Sequence, residues 1–141
     1  MSAGIREYKK AFFDVSKVSE AVAKGAKKIL SRYGAFVRQR ARSSIRPSKK
    51  SALPGAPPKS HEGSLRRLIL FAYDARKLSI VIGPVPFAGG LAPGLLERGG
   101  PATRKLKRGT RQLQYRGNPF MAPAAQAEMP KFLEMLKNAI K

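Results

Sequence analysis

The 141-residue sequence contains no cysteine, no tryptophan and a single histidine. Without cysteine, neither disulfide bonds nor thiolate chemistry can operate in this chain. No apolar run approaches the roughly 20 residues that a membrane span needs, and the residues after Met1 lack the apolar core of a signal peptide. These absences indicate a protein that is made and used in a cytoplasm, or is indifferent to redox state, and that does not enter a membrane.

Constellations of catalytic residues are also missing. His61 lies in a proline-rich segment, where a histidine side chain is usually solvated. The chain has no phosphate-cradling glycine motif and no His/Cys cluster for a metal, and its carboxylates offer no acidic pair at short spacing. We therefore expect no enzymatic activity, no cofactor and no bound metal. Motifs for direct base readout, such as a zinc finger or a compact helix-turn-helix, are absent as well.

Positive charge is what the chain has in excess. It contains 29 Lys and Arg against 8 Asp and Glu, a formal net charge of +21. A domain this basic needs polyanions or acidic partner surfaces nearby. Two stretches, 21–61 and 98–127, contain no acid at all. In these stretches we predict the following residues to face DNA or an acidic partner: Arg38, Arg42, Arg46, Lys49, Lys50, Arg104, Lys105, Lys107, Arg108 and Arg111. The alternative for each of them is a solvated surface position.

The order of elements predicts one α+β domain over 1–141, with a long N-terminal helix and a C-terminal helix packed on a small antiparallel sheet. The predicted segments are an N-terminal arm (1–15), a long helix (16–46), a proline-rich extended loop (47–63), a β-hairpin (64–84), a short helix (91–98), a basic loop or edge hairpin (99–117) and a C-terminal helix (119–141).

Hydrophobic periodicity supports the first helix and the hairpin. Apolar residues recur from Val18 to Ile45 with helical spacing, and Pro47 ends the pattern. In the hairpin, residues 68–73 are apolar on both faces, so we expect that strand to be sandwiched or buried at an interface. On the second strand Leu78, Ile80 and Ile82 should share one face. A kink or a second start is predicted at Pro130 in the last helix.

Three patches of sequence carry a resemblance to a known family. The first patch is Phe12–Asp14 with Leu30–Arg38 and Ala41–Arg46, the second is Pro54–His61 with Gly63, Leu65–Arg66, Phe71–Asp74 and Val81–Pro84, and the third is Leu95–Gly100 with Arg116–Ala124. Their order along the chain is more specific than any one patch alone. In this order they resemble the tail-component and tail-completion proteins, which join head to tail at the neck of long-tailed bacteriophages and prophages. The most specific part is the motif Pro119, Phe120, Met121 and Pro123, which opens the C-terminal helix in such proteins.

The resemblance implies a structural virion protein that forms a ring, commonly of six or twelve copies, at the head–tail junction. Its partners would be copies of itself, neighbouring connector, adaptor and tail proteins, and the double-stranded DNA that passes through the channel. It would be assembled in the host cytoplasm and would function in the neck or tail of the virion.

A long loop inside a compact domain is usually either functional or disordered, and in a ring it can reach a neighbouring copy. We place inter-subunit contacts on the hairpin and on Leu53, Pro54, Gly55, Pro57 and Pro58, the alternative being a loop that folds back on its own domain. Two other functions stay open. One is a sequence-independent nucleic-acid-binding protein, and the other is a tail terminator that caps the tube.

Overall fold

The computed structural model describes residues 15–85 and 92–140 and has the predicted α+β architecture. β1 pairs with β2 in parallel, whereas β3–β4 and β5–β6 are antiparallel hairpins. In chain order the elements are α1 (Val15–Ser44), β1 (Arg46–Pro47), β2 (Lys59–Ser60), α2 (Ser64–Leu68), β3 (Ile69–Asp74), β4 (Ser79–Pro84), α3 (Ala92–Arg98), β5 (Gly99–Lys105), β6 (Thr110–Arg116) and α4 (Met121–Ile140).

The second half of α1 forms one side of the core. Tyr33, Val37 and Ala41 are spaced by four residues, which places them on one helix face, and all three are buried together with Ile45. They pack with buried residues of α2, of β3, of the residue that precedes α4 and of α4 itself: Leu65, Ile69, Phe120 and Ala124. The predicted stripe is therefore correct from Tyr33 onward. In the first half, Val18 and Val22 continue the stripe but are 56% and 58% exposed.

The β3–β4 hairpin packs closely on α1 at Gly34. A Cβ atom there would clash with Cδ1 of Ile80 and would lie 3.1 Å from the Phe71 ring. Glycine at this position thus lets the hairpin approach the helix backbone, which offsets the intrinsic cost of glycine in a helix, about 1 kcal/mol. Gly25, two turns earlier, has open space where its Cβ would be.

Helix α4 begins against the carboxylate of Glu97, the penultimate residue of α3. The backbone N–H groups of Phe120 and Met121 donate to its Oε2 at 2.9 and 3.1 Å, and that of Ala122 donates to Oε1 at 2.9 Å. Pro123, the next residue, has no N–H to satisfy. All of the donors that a helix start leaves unpaired are therefore accounted for, and a negative charge sits at the positive end of the helix dipole.

Several predicted boundaries are corrected by the structure. The first helix ends at Ser44 rather than 46, because Arg46 precedes a proline and pairs with Lys59 in β1–β2. Residues 64–68 form the short helix α2, so the hairpin begins only at Ile69. Its turn covers residues 75–78, where Oδ1 of Asp74 accepts the N–H groups of Arg76 and Lys77. The predicted arm lies outside the described residues except for Val15, which is helical.

The two strands of this hairpin also differ from expectation on their outer faces. Leu78 lies in the turn with a φ of 47° and is exposed, so only Ile80 and Ile82 face the core. On β3 one face contacts the core, whereas Leu70 on the other face is 44% exposed. The sandwiching predicted for this strand is therefore absent within the described part of the subunit.

The C-terminal elements follow the predicted order. The segment 99–117 is a hairpin rather than a loop, with seven-residue strands paired from Gly99↔Arg116 to Lys105↔Thr110. The short helix is described from Ala92, so the predicted Leu91 lies outside the described residues. Helix α4 starts at Met121, two residues after the predicted 119, and runs without interruption through Pro130, so the predicted second start is wrong.

Candidate nucleic-acid interface

The basic residues predicted to face DNA or an acidic partner belong to two parts of the fold. Arg38 and Arg42 are half-buried on α1, and the exposed residues Arg46, Lys49 and Lys50 follow in the chain. The second group lies at the tip of the β5–β6 hairpin, where every member is exposed: Arg104, Lys105, Lys107, Arg108 and Arg111. The two groups differ in how firmly their side chains are held.

Arg38 and Arg42 are fixed by backbone carbonyl groups from outside their own helix. Nε of Arg38 donates to the carbonyl oxygen of Ile69 at 2.9 Å, and Nε of Arg42 donates to that of Arg66 at 2.7 Å. Because each bond uses the inner nitrogen, the two outer nitrogens of each guanidinium remain available as donors. Both side chains line a groove of about 490 Å³ together with Ala35, Gln39, Ser43 and Arg66, which we call the arginine groove.

The charge of the arginine groove is not compensated. Three guanidinium groups line it, and its lining contains no carboxylate. Within residues 15–85 and 92–140, none of the three forms an ion pair. Half-buried cations normally pair with an anion, and guanidinium groups whose planes are already fixed bind carboxylate or phosphate with little further loss of side-chain freedom. The groove therefore has the chemistry of an anion site.

A second groove, of about 410 Å³, lies beside the first and shares its residues Gln39 and Ser43. Its other lining residues are Phe36, Arg40, Glu128 and Lys131, and we call it the Glu128 groove. Here one carboxylate, Glu128, pairs with both cations and offsets part of their charge. Nε of Arg40 donates to Oε1 of the buried Glu128, and Nζ of Lys131 forms an ion pair with Oε2 at 2.8 Å, without hydrogen-bond geometry.

These partners set the ionisation of the Glu128 groove. The ammonium group of Lys131, and after it the guanidinium of Arg40, lower the pKa of the Glu128 carboxyl, and they outweigh the opposing effect of its burial. Burial, and to a smaller degree the Glu128 carboxylate, raises the pKa of Tyr33. The Tyr33 hydroxyl donates to the carbonyl oxygen of Ala125 at 3.1 Å, which ties α1 to α4 beside this groove.

The tip of the β5–β6 hairpin carries charge in a different way. Arg104 and Arg111 lie directly opposite each other in the strand register, a pairing of like charges that destabilises a hairpin in isolation. The turn between the strands is closed by the N–H of Leu106, which donates to the carbonyl oxygen of Gly109 at 2.9 Å. An anion at the tip would relieve this repulsion.

Hydrogen bonds to residues 117 and 118 attach the proline-rich loop to its own domain, and one of them joins the N–H of Gly55 to the carbonyl oxygen of Gly117 at 3.2 Å. The side-chain amide of Asn118 donates to the carbonyl oxygens of Leu53 and Ala56, both at 2.7 Å. The side chain of Leu53 is 78% exposed. Pro54, Gly55 and Pro57 are exposed as well, whereas Pro58 is buried. The backbone thus folds back while the apolar tip faces outward, and an inter-subunit role for Leu53–Pro58 stays a prediction.

The motif from Pro119 to Pro123 has a structural role in this subunit. Phe120 is 1% exposed in the core, Met121 packs against that core, and both donate backbone N–H groups to Glu97. Pro119 precedes the helix and Pro123 lies in its first turn, where a missing N–H does no harm. The motif therefore anchors α4 and contributes no exposed functional group.

Comparison with known proteins adds no assignment: no family model, no curated protein and no solved structure matches this chain. In the described ranges, no three His, Cys, Asp or Glu side chains are grouped so as to hold a metal ion. None of the helices described there is both long and apolar enough to cross a membrane.

Of the charged residues that line these grooves, only Arg38 and Arg42 were identified from the sequence. Arg66 is separated from Arg42 by 24 residues, and Glu128 from Arg40 by 88. The spacing of Arg38 and Arg42 by one helical turn was visible, but the residues that complete each groove come from elements whose packing no local pattern encodes. The signal available for Glu128 was its position, since it is the first acidic residue after a stretch of 30 residues without Asp or Glu.

Proposed function

We propose that this protein is a structural virion protein that forms a ring at the head–tail junction of a long-tailed phage, where it lines or adjoins the DNA channel. The observation that carries the proposal is the placement of uncompensated positive charge on two outward-facing features of a small subunit. These are the arginine groove and the tip of the β5–β6 hairpin, whose Arg104 and Arg111 face each other across the strands. Such charge can contact the phosphates of passing DNA without any base-reading motif.

Exposed apolar side chains support assembly into an oligomer. They occur on the first half of α1, in the proline-rich loop, on the outer face of β3–β4 and on α4, and include Val18, Val22, Leu53, Leu70, Val81, Leu133 and Ile140. Scattered apolar residues are normal on a surface, but these accompany a small core, with eight buried hydrophobic residues in the part of the chain that the structure describes. A closed ring requires two different surfaces on each subunit, and the chain offers apolar residues on several elements.

The proposal implies a defined set of partners. Copies of the subunit contact one another in a ring, for which six or twelve copies are the numbers to test. Connector, adaptor and tail proteins flank the ring, and the exposed loop around Leu53 can reach one of these neighbours or the next copy. Double-stranded DNA passes through the channel and meets the basic surfaces.

Electron microscopy of lysates from the source phage or prophage tests this proposal. With the gene deleted, we expect full heads and finished tails that remain separate, and the intact gene supplied in trans should restore joined particles. Normal infectious virions without the gene would contradict the head–tail assignment. Tails of irregular length would instead indicate the tail terminator.

A free, sequence-independent nucleic-acid-binding protein is the second candidate, and the charge of +21 favours it. Such a protein binds duplex tightly at low salt, with an affinity that falls steeply as salt rises, and it is not a fixed component of the particle. A ring subunit is present in purified virions in a constant number of copies. Quantitative mass spectrometry of purified particles separates the two.

A further inference from the structure

We infer that the arginine groove is a binding site for backbone phosphates of double-stranded DNA, in which Arg38, Arg42 and Arg66 supply the donors. This inference deepens the proposed function and rests on it for the presence of DNA. It also selects the part of the basic surface that holds DNA in a fixed geometry, as distinct from exposed lysines and arginines that only contribute charge.

The side chains of Arg38 and Arg42 are preorganised to bind a ligand. The Nε bonds from Arg38 to Ile69 and from Arg42 to Arg66 orient both guanidinium planes before any ligand arrives. On one helix, residues spaced by four are about 6 Å apart along the axis, so the two groups form a row. An oriented row of guanidinium groups suits the oxygens of phosphates, which accept two parallel hydrogen bonds from one arginine.

The second argument is the contrast in compensation along the same helix. Arg40 lies between Arg38 and Arg42 in sequence and points into the Glu128 groove, where a buried carboxylate takes up its charge. Arg38 and Arg42 have only neutral carbonyl partners, and the side chain of Arg66 has no hydrogen-bond partner in the part of the chain that the structure describes. Within residues 15–85 and 92–140 no carboxylate lines or pairs with the arginine groove, and we assign its anion to another molecule.

The third argument favours a polyanion over a single acidic side chain. Beyond the groove the chain continues with Arg46, Lys49 and Lys50, all exposed, and no acid occurs between Ala21 and His61. A surface that stays positive over such a length matches a partner with regularly repeated charge. Duplex DNA carries one negative charge per about 1.7 Å of its axis.

The test measures binding of a short fluorescent duplex to the full-length purified protein over a salt series. The variants are Arg66→Gln alone and Arg38→Gln, Arg42→Gln and Arg66→Gln combined. The control is Lys24→Gln, Lys27→Gln and Lys28→Gln combined, which removes the same charge from exposed positions of the same helix. We expect about a tenfold loss of affinity for each arginine removed, and a salt dependence that is shallower by about one ion per lost phosphate contact. The control should lose much less.

Arg66→Gln keeps the test meaningful if the triple variant folds poorly, because this side chain forms no hydrogen bond in the described part of the fold. Equal losses in the arginine and lysine variants would overturn the inference, since the groove would then act only through its net charge. A poly-glutamate peptide that binds with the same arginine dependence, while duplex does not, would also overturn it and assign the groove to an acidic protein. Because this assay needs no virion, its failure leaves the deletion experiment on head–tail joining unaffected.

Discussion

The arginine groove and the Glu128 groove lie side by side along one helix and use the same type of residue for different purposes. In the Glu128 groove, Arg40 and Lys131 meet a buried carboxylate, and the charges serve to hold α1 against α4. In the arginine groove, Arg38 and Arg42 meet only carbonyl groups, and their charge remains available to a ligand. The comparison indicates that a cation with a buried carboxylate partner serves the fold, whereas a cation without one is a candidate to bind a ligand.

The largest effect is expected where the arginine groove depends on close packing. Gly34→Val would push β3 away from α1 and so displace the carbonyl oxygen of Ile69 that holds Arg38. We expect a loss of about 3 kcal/mol in the free energy of unfolding, as overpacked cores show. Chemical denaturation measures it. Gly25→Val, at a position with open space on the same helix, should change stability by less than about 0.5 kcal/mol; similar losses at both positions would contradict this packing.

The next effect concerns the Glu128 groove alone. Glu128→Gln keeps the shape of the side chain but leaves Arg40 and Lys131 without a counter-charge. We expect a loss of about 2 kcal/mol, the range for hydrogen bonds that involve charged groups, with no loss of DNA affinity per folded molecule. Glu134→Gln, an exposed change on the same helix, is the matched control for urea denaturation and should be nearly neutral. Reduced DNA binding by folded Glu128→Gln would contradict the assignment of a purely structural role to the Glu128 groove.

A carboxylate added to the arginine groove should offset its charge, as Glu128 does in the Glu128 groove. Gln39 lines both grooves, so Gln39→Glu supplies the arginine groove with the counter-charge it lacks. We expect DNA affinity to fall about tenfold, equivalent to about 1.4 kcal/mol, while stability changes little. Gln126→Glu makes the same change of charge at an exposed position on α4. If both variants bind DNA equally well in a fluorescence titration, the groove does not hold the duplex.

The smallest expected effect is on the pH dependence of stability, to which the carboxylate of the Glu128 groove contributes. Lys131 and Arg40 lower the pKa of Glu128 in the folded protein, so its ion pairs stabilise the fold above the ordinary carboxyl pKa of about 4.3. That stabilisation is lost as the pH falls through the lower, folded-state pKa. The stability difference between the wild type and Glu128→Gln should therefore shrink on acidification, as measured by urea denaturation. A constant difference from neutral to acid pH would exclude ionised Glu128 as its source.

Much of the fold could be predicted because its signals are local. The stripe from Tyr33 to Ile45 and the apolar runs of the β3–β4 hairpin each follow from spacing along a few residues. The same stripe misled at Val18 and Val22, which are equally periodic but find nothing to pack against among the described residues. Hydrophobic periodicity identifies a helix face that can be buried. Only the packed structure shows how much of that face is buried.

The site was predictable only in part, for the same reason. Arg38 and Arg42 were predicted to face DNA or an acidic partner, yet no sequence pattern indicates that Arg40 between them pairs with Glu128. Glu97 also had no predicted role, although its carboxylate accepts the N–H groups that open α4. These contacts join residues that are far apart in the chain, and their chemistry depends on distances that spacing alone does not encode.

Site-specific photo-crosslinking in purified phage particles tests the central claim most directly. Ala35 lines the arginine groove, and its neighbour Phe36 lines the Glu128 groove, where the Lys131 ammonium lies 5.1 Å from its ring centre. A photoreactive phenylalanine analogue placed at position 35 or at position 36 therefore samples the two grooves from adjacent residues. The account predicts cross-links to packaged DNA from position 35 and none from position 36. Equal cross-linking from both positions, or cross-links to protein alone, would contradict it.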